Sequence, residues 1–348
     1  MEKGNWKMEK GAPESSVDRR QSPAHFPFSL FPFPVFFSVF ICVHLWLIPP
    51  AQAQEVVVNL SAGRVIVCVA KKGIVIATVQ KSLEAEARPP ILAQLSGRRV
   101  TVLLGATEWI SPAGEPPVRM EREIPRVSTA ISGEGPTLSR EQSEDLQAFA
   151  LAVLEPLREA AQRLTQKVNL ARDEPLLDIV LIGYLENYGA ETWTMRYRAV
   201  QEPFRGEYWQ TRVLRPISTQ LYPPEKGDPR TIMEVRYPPQ DDTPLLLDLL
   251  RRNDPRLARL RNIDKPTSEA ALKILEGESH KAPLEGVVTL LRGALEATLE
   301  PGDVLAFGVI DEIRGFEWVI PQREVLERAE EERKERPAGA PTLRKPPE

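Results

Sequence analysis

The chain has 348 residues, 27% of them charged, and a formal net charge of only −4. Its basic and acidic residues are interspersed instead of clustered, so nothing in the charge balance points to a nucleic-acid or anionic-membrane surface. Of its two cysteines and three histidines, Cys42, His25 and His44 lie within the first 53 residues, and the one cysteine and one histidine beyond them, Cys68 and His280, exclude a disulfide framework and a zinc site of several histidine or cysteine ligands there.

The first element is a leader. Residues 26–48 are almost unbroken in apolar and aromatic side chains, basic residues (Lys3, Lys7, Lys10, Arg19, Arg20) precede them, and Ala51-Gln52-Ala53 follows with the A-x-A form. Those are the n, h and c regions of a signal peptide, with cleavage expected after Ala53. An uncleaved membrane anchor is the alternative, since spanning helices need about 20 apolar residues. Export to the periplasm or the extracellular space is the expected localisation, with no membrane contact once the leader is cut.

Some 295 residues follow Ala53, enough for a substantial core. Valine and isoleucine dominate 55–60, 64–70 and 74–79, with Lys71-Lys72-Gly73 as the turn of a hairpin. Cys68, inside the run RVIVCVA, reads as a buried small hydrophobe. Another strand is expected over 99–105. Residues 109–136 are rich in proline, glycine and charge and show no apolar period, so they read as a surface excursion.

A helix capped by Thr137 or Ser139 then carries Leu146, Phe149, Val153, Leu154, Leu157 and Leu164 on one face, with a kink or break expected at Pro156. Strands follow over 176–184, 192–200, 208–214 and 231–237, and helices over 245–252, 268–275 and 284–299. A hairpin of 304–310 and 316–320 closes the domain. The tail, 322–348, reads as a charged helix (323–336) running into a disordered end. The domain limits are therefore 1–53, 54–321 and 322–348.

This order predicts an α+β fold, a four-layer αββα sandwich of two mainly antiparallel sheets. RVIVCVAKKGIVIATV at 64–79 resembles the opening hairpin of proteasome-type N-terminal-nucleophile hydrolases. ILAQLSGRRVTVLLGA at 91–106 is similar to that family's next strand pair, DIVLIGYLENYGAETWTMRY at 178–197 to its later hairpin, and DVLAFGVIDEIRGFEWVI at 303–320 to its closing one. The resemblance implies an N-terminal threonine, serine or cysteine as nucleophile, its own amine serving as base. Carried onto this chain, the nucleophile's position falls at Gly63 and the assisting lysine's near Pro90 or Ile91, and none of these can do the chemistry. Ser61 freed by a second cleavage, with Arg98 or Arg99 as a displaced cation, is the repaired alternative.

Other constellations are poorer. His280 lies between two helical patterns and reads as an exposed loop residue rather than a triad member, and no Walker, dinucleotide or G-x-S-x-G glycine motif occurs. Along 192–200, Trp193, Met195 and Tyr197 alternate with Thr194, Arg196 and Arg198. That period of two describes a half-buried strand packing one face on helices. Alternatively Trp193, Arg196 and Tyr197 form a binding patch, because aromatics and arginine are enriched at interaction hot spots.

The expected function is a non-catalytic binding or structural protein on a proteasome-like sandwich. It would have a protein or peptide partner or assemble with itself, and need no cofactor or metal. The alternative is an active amide hydrolase with Ser61 as nucleophile.

Overall fold

The computed structural model describes residues 57–81, 87–110, 116–132, 143–162, 175–185, 189–204, 208–224, 231–239, 250 and 255–322. The chain falls into two units, 1–53 and 54–348, and every described residue belongs to the second. The leader, the cap residues Thr137 and Ser139, the helix expected over 245–252 (apart from Leu250) and the tail beyond Gln322 lie outside the described residues.

Two antiparallel sheets carry the protein. The five-stranded sheet has the order β12 (Ile232–Tyr237), β2 (Gly63–Ala70), β3 (Gly73–Gln80), β13 (Val304–Asp311), β14 (Gly315–Ile320). The seven-stranded sheet runs β1 (Val57–Ser61), β5 (Arg99–Ile110), β7 (Leu177–Leu185), β8 (Gly189–Tyr197), β11 (Ile217–Tyr222). Its β4 (Ile91–Ser96) and the short β6 (Val118–Arg119) also pair with β5. A separate ribbon joins β9 (Ala199–Phe204) to β10 (Tyr208–Val213). The helices are α1 (Met120–Ser132), α2 (Ser143–Gln162), α3 (Pro255–Arg261), α4 (Lys265–Leu275) and α5 (Leu284–Glu296).

The continuous apolar runs of β2 and β3 form strands because both of their faces are covered. Alternate residues point to opposite sides of a strand. Ile66, Cys68, Val75 and Ala77 join a cluster with Ala270, Ile274, Val287, Leu290 and Leu291 of α4 and α5. Val65, Val67, Ile74 and Ile76 join a second cluster with Val100, Val102, Leu104, Val180 and Ile182 of the other sheet. A third cluster packs Leu103, Ile179, Leu181 and Met195 against Ile124, Phe149, Val153 and Leu157 of α1 and α2. Each fully buried valine, leucine or isoleucine contributes about 1.5–3 kcal/mol over leaving it exposed, and the three clusters together form the core.

All four stretches that carried the resemblance are antiparallel hairpins: β2 with β3, β4 with β5, β7 with β8, and β13 with β14. Cys68 is fully buried, and that burial pushes its thiol up to about 12.

Several expectations are corrected. Residues 120–132 are not part of a surface excursion but a helix, whose Met120, Ile124 and Val127 are buried. Three apolar residues spaced four and three apart suffice to seat it, although charges and Pro125 dilute the pattern. Helix α2 continues past Pro156, so of the expected kink or break the break does not occur. The strand expected over 192–200 divides at Arg198, and residues 208–213 pair in the ribbon and not in a main sheet. His280 sits half-buried in a turn of 3₁₀ helix rather than in an exposed loop.

Candidate functional site

Strand β1 pairs with the far half of β5, Ser61 opposite Gly105 and Asn59 opposite Glu108, before the chain crosses through Ala62 into β2 of the other sheet. The crossing is held by backbone bonds on both sides of Ser61: the Arg88 N–H donates to Leu60 O at 2.7 Å and the Ala62 N–H to Arg88 O at 2.8 Å. Ser61 is fully buried, and its hydroxyl shares a hydrogen bond with Thr107 Oγ1 at 2.8 Å. It is the last residue of β1, with the Leu60 carbonyl and the Ala62 N–H on either side of it both committed.

Gly63 follows at a φ of +135°, a conformation side chains rarely adopt. A Cβ there would collide with the Val79 carbonyl oxygen and lie 3.1 Å from Cδ and Cγ of Pro90. The positions that the resemblance gives to nucleophile and assisting lysine are thus spatial neighbours, but one has no side chain and the other is a proline ring filling the space. Gln322 closes the same region from behind: its amide donates to Pro90 O at 2.6 Å and accepts from the Leu92 N–H at 2.7 Å.

Arg98 and Arg99 lie at the other end of β5. Arg99 opens that strand and Ser61 pairs with its seventh residue, Gly105, a separation of about 20 Å at some 3.3 Å per residue. The Arg98 carbonyl accepts from the Tyr184 N–H at 3.1 Å in the turn between β4 and β5. Ser61 and the two arginines are not brought together.

The densest polar cluster is one that sequence reading missed. The Glu108 side chain, 1% exposed, accepts from Asn59 Nδ2 at 2.6 Å and Arg119 Nε at 2.6 Å and forms an ion pair with Arg88 at 2.6 Å. Burial opposes its ionisation, but the hydrogen bonds from Asn59 and Arg119 and the charges of both arginines outweigh it, so the carboxyl titrates below its ordinary range. Its members come from β1, β5, β6 and the segment before β4, a long-range assembly that leaves no local signature.

Of the binding-patch residues, Tyr197 is fully buried and donates to the Ala150 carbonyl of α2 at 2.9 Å. Trp193 is half-buried, packed against the helix-facing cluster, with its indole N–H 3.3 Å from Glu191 Oε2. Arg196 points to the opposite face of β8, where it holds Asp178 through two hydrogen bonds of 3.0 Å. Trp193 and Arg196 therefore do not share a surface, and the alternation reflects packing. Burial raises the Asp178 carboxyl above its ordinary value, against the pull of Arg196 and Arg198.

Among the described residues no group of three or more histidine, cysteine, aspartate or glutamate side chains is placed to hold a metal ion, and no helix is long and apolar enough to cross a membrane. No protein-family model and no curated protein matches the chain.

Proposed function

We propose that the chain is an exported, non-catalytic binding or structural protein, built on a four-layer αββα sandwich of the proteasome type and working through a protein or peptide partner or through its own assembly. The layering is supported by the three clusters, two between a sheet and helices and one drawing on both sheets. The leader with its A-x-A site supports export.

The observation that carries the non-catalytic reading is the contact of Gly63 with Pro90. An N-terminal-nucleophile enzyme needs a hydroxyl or thiol and a cation at that junction. Here the junction offers only a glycine, at a φ that side chains rarely adopt, and a proline ring. Ser61, two residues earlier, is buried, bonded to Thr107 and about 20 Å from the cations that would assist it.

Incubation with a β-lactone electrophile, which acylates N-terminal hydroxyl nucleophiles, tests the reading. No adduct is expected by mass spectrometry. An adduct on Ser61 would make the chain a hydrolase.

A further inference from the structure

Hairpin tips favour glycine, asparagine, aspartate and serine, each for what it does for the turn. The tip between β13 and β14 reads Asp311-Glu312-Ile313-Arg314-Gly315, and the turn itself uses the first and last of these residues. Asp311 Oδ1 accepts from the Ile313 N–H at 2.8 Å and from the Arg314 N–H at 2.9 Å. Gly315 has a φ of +82°, and a Cβ there would collide with the Gly97 carbonyl oxygen. Nothing in this geometry calls for an apolar residue at position 313, yet an isoleucine stands there, 77% exposed.

The isoleucine is held out on a pinned backbone. The Glu312 N–H donates to Lys72 O at 2.9 Å and the Phe316 N–H to Gly97 O at 2.7 Å. The Glu312 carboxylate accepts from Lys72 Nζ at 2.6 Å and from the Tyr184 hydroxyl at 3.2 Å. The tip is thus tied to the β2–β3 turn, the β4–β5 turn and β7, so a partner that covers Ile313 meets a group already fixed in place.

Isolated exposed apolar side chains are common, but Ile313 is not isolated. Further along the hairpin Trp318, 38% exposed, meets Phe316 edge to face with ring centres 5.1 Å apart. Phe316 belongs to the cluster between the sheets, so Trp318, two residues on, turns toward the seven-stranded sheet, while Glu317 points to the other face. From that sheet the stem of Arg98 reaches within 3.8 Å of where a Cβ on Gly315 would lie. The side chains of Arg98 and Arg314 have no ion-pair or hydrogen-bond partner among the described residues. The neighbouring acids are committed, Asp311 to the turn and Glu312 to Lys72 and Tyr184. Tryptophan and arginine around an apolar anchor have the composition of an interaction hot spot.

We propose that the β13–β14 tip is a docking surface for an acidic segment of a protein or peptide partner, with an apolar side chain of that segment covering Ile313 and its carboxylates pairing with Arg98 and Arg314. Charge complementarity names the occupant, because the two unpaired cations flank the anchor and the acids beside it are already used. This rests on the partner arm of the proposed function and deepens it.

The test is a titration of the chain with the pentapeptide acetyl-Glu-Glu-Leu-Glu-Glu-amide, followed by amide NMR shifts, with the lysine counterpart acetyl-Lys-Lys-Leu-Lys-Lys-amide as control. Saturable binding of the acidic peptide alone is expected, with shifts centred on Ile313, Arg314 and Gly315. Ile313→Ser and Arg314→Glu should each weaken it at least about tenfold, with an unchanged thermal midpoint because both side chains are exposed. Absence of saturable binding, equal binding of the lysine peptide, or indifference to either substitution would overturn the proposal. So would self-association of the parent chain that Ile313→Ser abolishes, since a second copy would then be the occupant. The β-lactone experiment reads Ser61 and not this tip, so either reading can fail without the other.

Discussion

Two neighbouring regions show how polar chemistry and reactive chemistry part company in this fold. Around Glu108, four charged or polar side chains converge and Asn59, Arg88 and Arg119 all turn to the one buried carboxylate. Around Gly63, where the resemblance calls for a nucleophile and a cation, there is only a glycine against a proline ring. The polar region is a clamp holding β1 and β6 to β5, and the position to which the resemblance points is packed. A dense cluster of ionisable groups is therefore no guide to a reactive centre unless one group is left for a substrate to meet.

The comparison can be broken by substitution, beginning with the clamp. Glu108→Ala leaves Asn59, Arg88 and Arg119 without their shared acceptor. It should cost about 3 kcal/mol, at the low end for a broken buried pair because both arginines are about a third exposed. Urea unfolding at neutral pH measures it. The same clamp predicts a pH dependence. Its folded carboxyl value is lowered, so its contribution is complete above the ordinary glutamate value of about 4.3 and is lost as the pH falls through the lowered folded value. The destabilisation caused by Glu108→Ala should therefore shrink on acidification below that point.

Gly63→Ala tests the packed junction. The substitution forces a Cβ onto the Val79 carbonyl at a φ reserved for glycine, and about 2–3 kcal/mol of stability should be lost. A neutral result in thermal or urea unfolding would mean that the junction has room for a side chain. Gln322→Ala strands the Leu92 N–H and the Pro90 carbonyl at a cost of about 1–3 kcal/mol, read as faster amide exchange at Leu92. Ser61→Ala has the smallest effect, about 1 kcal/mol for the bond to Thr107.

The hairpins were legible in the sequence because β2, β3, β5 and β7 are buried on both faces and so carry stretches dominated by valine, isoleucine and leucine. Helix α1 was not, since Met120, Ile124 and Val127 are its only described buried apolar residues among charges and a proline. The role of Trp193 and Tyr197 as packing residues was written in their alternation, whereas the partnership of Arg196 with Asp178 depends on the register of β7 with β8. The Glu108 clamp was invisible because its members, at positions 59, 88, 108 and 119, meet only through strand pairing. Strand β11, flanked by prolines and half exposed, lacks the apolar alternation that marks a strand.

The most direct test of the non-catalytic account is the mature N-terminus, read by intact mass and N-terminal sequencing of the protein recovered from the envelope and medium of its native host. A chain beginning at Gln54 is the predicted result, with Ser61 left inside β1 as a buried strand residue. A chain beginning at Ser61 would free that residue's amine and hydroxyl and contradict the account.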